Sequence, residues 1–186
     1  MKGGDKMKIT DEIIQLNGHE LLLRNPREED AELLIQSLKD RSGETRFLVM
    51  EPEEIALTIE EECEFINRQN ESDSNIMILA FLDGEFVGNC SLNGFGASRY
   101  KHRVSFAIAL YQKYVGMGIG TILTEKAIQV AKEKGFEQME LEVVASNERA
   151  IGLYKKMGFE IYGTLPNNMK YKDGTYADTY WMMKKF

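Results

Sequence analysis

The sequence predicts an α/β (α+β) domain in which one mixed sheet carries helices on its faces. Three observations predict it. Two tight-turn dipeptides, Asn17-Gly18 and Asp83-Gly84, each stand between apolar runs of strand length. Val104 to Leu110 alternates strictly, with Val104, Phe106, Ile108 and Leu110 on one face and Ser105, Ala107 and Ala109 on the other. Between such runs lie stretches whose apolar residues recur at three and four, the period of a half-buried helix.

Taken in order, Glu12 to Leu16 and Glu20 to Asn25 form the first hairpin. A helix is expected to start at Asn25-Pro26, with Asn as cap and Pro at the first helical position, burying Ala31, Leu34, Ile35 and Leu38. Asp40 to Met50 reads as a loop and Glu53 to Arg68 as a second helix, with Ile55, Ile59, Cys63 and Ile66 inside. Strands Ile76 to Leu82 and Glu85 to Leu92 make the second hairpin, and Val104 to Leu110 follows. A glycine-rich turn then enters a helix bearing Ile119, Ile122, Leu123, Ala127, Val130 and Ala131, which stops at Lys134-Gly135. The strand Gln138 to Val144, a helix over Asn147 to Met157, and strands near Phe159 to Leu165 and Tyr176 to Lys185 complete the order. That order is ββααββ followed by β-turn-α-β-α-ββ.

Composition narrows the function. At 186 residues, with 43% hydrophobic and 28% charged residues, the chain has the material for one core and is not a disordered polymer. Twenty-three basic against 30 acidic residues give a net charge of −7, which argues against nucleic acid as a partner. No apolar run approaches the roughly 20 residues of a membrane span, and the opening MKGGDKMKITDEI has no signal-peptide core. Met7 offers an alternative start. Cys63 and Cys90 form no CxxC pair, so neither a disulfide framework nor a zinc site is indicated, and a cytoplasmic setting fits. Seven glutamates between Glu51 and Glu64 read as a solvated helix face.

The most informative segment is the turn Tyr114-Val115-Gly116-Met117-Gly118-Ile119-Gly120-Thr121, between a strand and a helix. Alternating glycines let the backbone approach a ligand closely, and the helix start offers unpaired N–H groups to a phosphate or pyrophosphate. The same residues would also serve a turn that merely joins strand to helix. A dinucleotide fingerprint is excluded because Thr121 and Leu123 stand where a third glycine is required, and no P-loop pattern is present.

Together with Asn147-Glu148-Arg149-Ala150-Ile151-Gly152-Leu153-Tyr154-Lys155-Lys156-Met157-Gly158-Phe159, this turn resembles the GNAT superfamily of N-acetyltransferases. The resemblance covers about Glu20 to Phe186, its specific part being Val104 to Phe159. It implies a mostly antiparallel sheet of six to seven strands flanked by about four helices, with residues 1–19 as an extension and first strand and 20–186 as the acetyltransferase domain. It implies acetyl-CoA as co-substrate and no metal. Ile108, Ala109 and Leu110 would run along the pantetheine arm, and Val115, Gly116, Met117, Gly118, Ile119, Gly120 and Thr121 would cradle the pyrophosphate. Many members carry Arg or Gln where this chain has Val115, so one side-chain contact is missing while the backbone donors remain. Asn147 matches the family's pantetheine-binding Asn and is equally suited to cap a helix. Tyr154 matches the tyrosine that protonates the departing thiolate; the same residue could simply fill a core. The run Leu141-Glu142-Val143-Val144-Ala145-Ser146-Asn147 resembles that of ribosomal-protein alanine N-acetyltransferases, which implies Glu142 as the base, with Glu140 as neighbour or substitute.

Direct transfer needs a neutral amine. With ordinary pKa values near 8 and 10.4, roughly a tenth of an α-amine but under about a thousandth of a lysine-type amine is neutral at pH 7. Tyr at about 10 can protonate a thiolate near 8.5 at an uphill cost of roughly 2 kcal/mol. A strand amide near Ile108 to Leu110 would stabilise the oxyanion. Arg46, Phe47 and Leu48, with the last hairpin, are expected to build the acceptor pocket; Arg46 would pair either a substrate carboxylate or an internal acid. The expected acceptor is the α-amine of an amino acid or a peptide N-terminus, with a polyamine or aminoglycoside, or a non-catalytic acyl-CoA-binding module, as alternatives. No membrane partner is expected, and a homodimer is compatible with the sequence.

Overall fold

An eight-stranded sheet in the order β1-β2-β3-β4-β5-β6-β8-β7 organises residues 6–186, the part of the chain described by the computed structural model. The strands are β1 (Glu12–Leu16), β2 (His19–Arg24), β3 (Asn75–Leu82), β4 (Glu85–Gly94), β5 (Arg103–Leu110), β6 (Gln138–Val144), β7 (Glu160–Lys170) and β8 (Tyr176–Lys185). Helices α1 (Ala31–Glu44) and α2 (Ile59–Glu71) precede β3, α3 (Ile119–Glu133) links β5 to β6, and α4 (Glu148–Lys156) follows β6. Every neighbouring pair is antiparallel except β5 and β6, whose connection through α3 makes them parallel. The sheet therefore exceeds the six to seven strands implied by resemblance; each of the eight follows from a local signal in the sequence. Among the described residues, no helix is long and apolar enough to cross a membrane.

Two apolar layers cover the sheet. On one face Ile78, Leu92, Val104, Phe106, Met139 and Leu141 pack against Leu123, Ala127 and Val130 of α3 and Tyr154 of α4. On the other, Leu79, Phe81 and Phe86 pack against Ala31 and Leu34 of α1 and Ile66 of α2. Strand residues alternate between these layers, so the pleat decides which helix pair each side chain meets.

Several local expectations are corrected. Asn25 caps no helix: its Oδ1 accepts from the Ile9 N–H at 2.9 Å and its Nδ2 donates to the Met77 carbonyl at 2.9 Å. The chain instead turns through a short 3-10 segment, Glu28–Asp30, because Asp30 accepts from Arg24 at 2.6 and 2.7 Å and from the Arg27 N–H at 2.7 Å. Helix α1 runs on to Glu44, inside the expected loop. Helix α2 starts only at Ile59, where Thr58 and Glu61 form a reciprocal capping box with bonds of 3.2 and 2.9 Å. Ile59 is consequently exposed in the first turn, Cys63 is half-buried, and Glu62, on a face expected to be solvated, is buried.

Beside the later site, β4 carries a bulge: Ala80 faces Gly88 while Phe81 faces Phe86, which leaves Val87 extra. Gly88 takes φ +150°, and a Cβ there would lie 2.3 Å from the Ala109 carbonyl oxygen and 2.8 Å from Leu110 Cα. Only a residue without a side chain lets β4 and β5 come this close. Gly88→Ala should therefore lower stability by roughly 3 kcal/mol, read as a lower urea midpoint with an unchanged slope.

Candidate active site

The site begins where two strands part. β5 and β6 pair only through Arg103–Gln138, Val104–Met139 and Ser105–Glu140. Beyond that point β5 keeps its partner β4, and β6 keeps its partner β8. The facing edges of Phe106–Leu110 and Leu141–Val144 thus have no strand between them, a wedge lined by backbone groups that an extended chain could pair with. At its root, Arg103 Nη2 donates to both Glu140 oxygens at 2.7 Å. Glu140 is buried and both its oxygens are taken by this arginine.

Beyond β5 the chain reaches the glycine turn. Gly116 and Gly118 take φ +99° and +94°, which turns successive N–H groups to one side. The N–H groups of Gly116, Gly118, Ile119, Gly120 and Thr121 find no acceptor among the described residues, whereas Val115 and Met117 donate back to Gln112 and Tyr114. With the start of the 15-residue helix α3 behind them, these donors fit the diphosphate of coenzyme A. The Val115 side chain adds no charge. A Cβ on Gly120 would stand 3.4 Å from Leu153 and 3.6 Å from Leu110, so the turn lies against both α4 and the end of β5.

Tyr154 projects from α4 into this corner. Its ring meets Phe106, the first β5 residue past the fork, edge-on at 6.3 Å, and Phe159 at 5.9 Å. It is 7% exposed, its hydroxyl has no hydrogen-bond partner among the described residues, and burial pushes its pKa up to about 12. Asn147 caps α4, its Oδ1 accepting from the Ala150 N–H at 3.2 Å.

Glu142 lies on the opposite face of the sheet. Met139, Leu141 and Val143 belong to the α3–α4 layer, so by alternation Glu140 and Glu142 point to the side of α1 and α2. Glu142 is exposed and accepts from Asn168 Nδ2 at 2.5 Å; the same amide donates to Thr179 at 2.9 Å. Asn168 reaches it because β7 bulges between Leu165 and Met169, with Asn167 at φ +53°. The sequence reading passed over Asn168, although Pro166-Asn167-Asn168 inside a strand is a bulge signal. It also passed over Gly88, an isolated glycine in a strand.

A 760 Å³ cavity opens on this second face, between residues 42–54 of the α1–α2 connection and Met169–Asp173 of the last hairpin. Arg46 and Leu48 line it, whereas Phe47 stands outside its lining and is exposed. Arg46 donates to Asp173 at 3.0 Å and Thr175 at 3.1 Å and stacks 3.9 Å from the centre of the Tyr171 ring, so an internal acid is its partner. Lys172 reaches back to Glu53 at 2.8 Å and Glu51 at 3.5 Å, a second tie between loop and hairpin.

The profile of the acetyltransferase (GNAT) family matches residues 31–159, and the chain belongs to that family. It is 31% identical over 110 residues to the L-amino acid N-acetyltransferase AaaT of Escherichia coli, a match covering 58% of this chain and 66% of the relative. With an N-alpha-acetyltransferase of Sulfurisphaera tokodaii it shares 35% over 129 residues, or 63% of this chain and 73% of the relative. A solved GNAT-family acetyltransferase from Streptococcus pneumoniae matches its fold with TM-score 0.86 and 34% identity, over 90% of this chain and 100% of the other. Against several curated relatives, the chain spans 40 to 66% of the relative's length.

Gly118→Ala tests the anion cradle. A Cβ at φ +94° is strained and turns the neighbouring N–H groups away. Calorimetric titration should show coenzyme A binding weakened by about tenfold, as expected for roughly 1–2 kcal/mol of left-handed strain.

Proposed function

We propose that the protein transfers an acetyl group from acetyl-CoA to the α-amine of an amino acid or of a peptide or protein N-terminus, by direct attack in a ternary complex. The observation that carries this reading is the fork between β5 and β6, with Tyr154 on one face and Glu142 on the other. Coenzyme A would supply the thioester. Ile108, Ala109 and Leu110 would align the pantetheine arm, Asn147 would donate to it, and residues Val115 to Thr121 would hold the diphosphate.

The acceptor enters from the α1–α2 face. Glu142, fixed by Asn168, takes the proton that leaves the attacking nitrogen, directly or through water. On the far face Tyr154 gives its hydroxyl proton to the departing sulfur. Its raised pKa keeps that proton in place throughout the physiological range and makes the transfer to sulfur more uphill than for an ordinary tyrosine, so the donation must be coupled to C–S bond cleavage. The relatives named for L-amino acids and for Nα-acetylation support an α-amine acceptor. Leu48 and Met169 offer the acceptor apolar contact in the cavity, and Arg46 would exchange Asp173 for a substrate carboxylate.

The cavity also carries Glu44, Glu51, Glu53 and Glu54, which favours a polyamine as the second reading. The two readings separate by salt: a polycation loses rate steeply as ionic strength rises, a zwitterion does not. The unpaired thiols of Cys63 and Cys90 suit a cytoplasmic setting.

Thiol release from acetyl-CoA, measured across amino acids, short peptides, polyamines and aminoglycosides, tests the assignment. Tyr154→Phe and Glu142→Gln should each lower kcat by roughly 10²-fold, with acetyl-CoA affinity unchanged. Tight binding of acetyl-CoA without turnover on any amine would point instead to a binding module.

The pH dependence has a definite sign. Burial raises the Tyr154 pKa to about 12, above its ordinary value of about 10. No loss of kcat attributable to Tyr154 should therefore occur below about pH 11. The stability it contributes is complete below about pH 10 and lost as pH rises towards 12, an alkaline limb that Tyr154→Phe should lack.

A further inference from the structure

Arg41 is the side chain the reaction scheme leaves unexplained. It projects from α1, is 4% exposed, and has no carboxylate within ion-pairing distance among the described residues. A guanidinium is normally buried only against an acid. Here its partners are neutral oxygens: Nε donates to the Ser37 carbonyl at 3.0 Å and Nη2 to Ser37 Oγ at 3.3 Å. Nη1 donates to Asn89 Oδ1 at 2.8 Å and to the Ala109 carbonyl at 2.7 Å. The charge is set against one peptide of β5.

That peptide lies at the wedge. The Ala109 oxygen lies on the β4 side, since it is the atom a Gly88 Cβ would strike at 2.3 Å. In a trans peptide the carbonyl and the following N–H point in opposite directions. The Leu110 N–H is therefore directed away from β4, towards the edge that β6 has left. A full positive charge on the oxygen side draws electron density through the amide and strengthens the N–H as a donor. Gly88 and Asn89 complete the arrangement: the glycine lets the carbonyl approach, and the asparagine orients the guanidinium without neutralising it.

We propose that Arg41 is a positioning residue that polarises the Ala109–Leu110 peptide, so that the Leu110 N–H holds the acyl oxygen as it becomes negative. The proposal rests on the acetyltransferase reading. When the amine nitrogen bonds to the thioester carbon, the carbonyl electron pair moves onto oxygen and is held by this N–H. It returns as the C–S bond breaks, the sulfur taking its proton from Tyr154 and Glu142 receiving the proton from nitrogen.

Asn89→Asp is the principal test, since it keeps Arg41 in place and cancels its charge with an adjacent carboxylate; Arg41→Gln and Arg41→Lys accompany it. In the ligand-free protein, the Leu110 amide proton resonance should move upfield in Asn89→Asp and Arg41→Gln and less in Arg41→Lys. With acetyl-CoA carrying a 13C carbonyl, the bound C=O stretch should shift to lower frequency in the native protein and back towards its solution value in the two charge-cancelled variants. In those variants kcat should fall by about tenfold or more, with the dissociation constant of acetyl-CoA unchanged. Folded variants that bind acetyl-CoA with the native Leu110 resonance and native carbonyl frequency would overturn the proposal. Failure of the native protein to bind acetyl-CoA would remove the acetyltransferase reading, and this proposal with it.

Discussion

Three residue pairs hold β5 to β6, and the end of that pairing at Ser105–Glu140 is the constraint on which the site depends. Parallel strands joined through a helix ordinarily stay paired along their length, because an unpaired edge inside a sheet leaves backbone groups without partners. Here each strand keeps a full ladder on its outer side, so the separation is maintained from both flanks. The Arg103–Glu140 contact closes the root, and the Gly88 bulge draws the end of β5 against β4 and away from β6. The wedge is built into the pairing register of the sheet.

Alternation along the strands then distributes the chemistry. Phe106 and Leu141 belong to the layer under α3 and α4, which puts the glycine turn and Tyr154 on that side. Glu142 falls on the other. A tyrosine ring buried against Phe106 and Phe159 and an exposed carboxylate are thereby held on opposite faces of one gap. Burial among the aromatic rings keeps the Tyr154 hydroxyl protonated. By contrast, the contacts between residues 42–54 and the last hairpin are exposed ion pairs, Arg46–Asp173 and Lys172–Glu53, which water screens strongly. They tie the loop to the hairpin without the strength of a buried pair.

Much of this was legible in the sequence because it depends on local chemistry. The Asn17-Gly18 and Asp83-Gly84 turns, the alternation of Val104 to Leu110 and the positive-φ glycines at 116 and 118 each specify their own conformation. The glycine turn packs against α4, the helix that carries Tyr154 and is capped by Asn147. What was misread depends on contacts remote in sequence. Asn25 looked like a cap, but it is used by Ile9 and Met77, and the turn into α1 is made by Asp30 with Arg24. Glu140 and Glu142 are indistinguishable by spacing; Arg103 on a neighbouring strand separates them. Arg41 looks like any helix arginine until α1 is packed over β4 and β5.

Under the proposed function, the wedge between β5 and β6 and the adjoining glycine turn receive acetyl-CoA. Backbone amide resonances followed during titration with coenzyme A test it most directly. The largest changes should fall on Phe106 to Leu110 and on Gly116 to Thr121, with slower hydrogen exchange along both segments. Changes confined to residues 42–54 and 169–173, with the β5 amides unmoved, would contradict it.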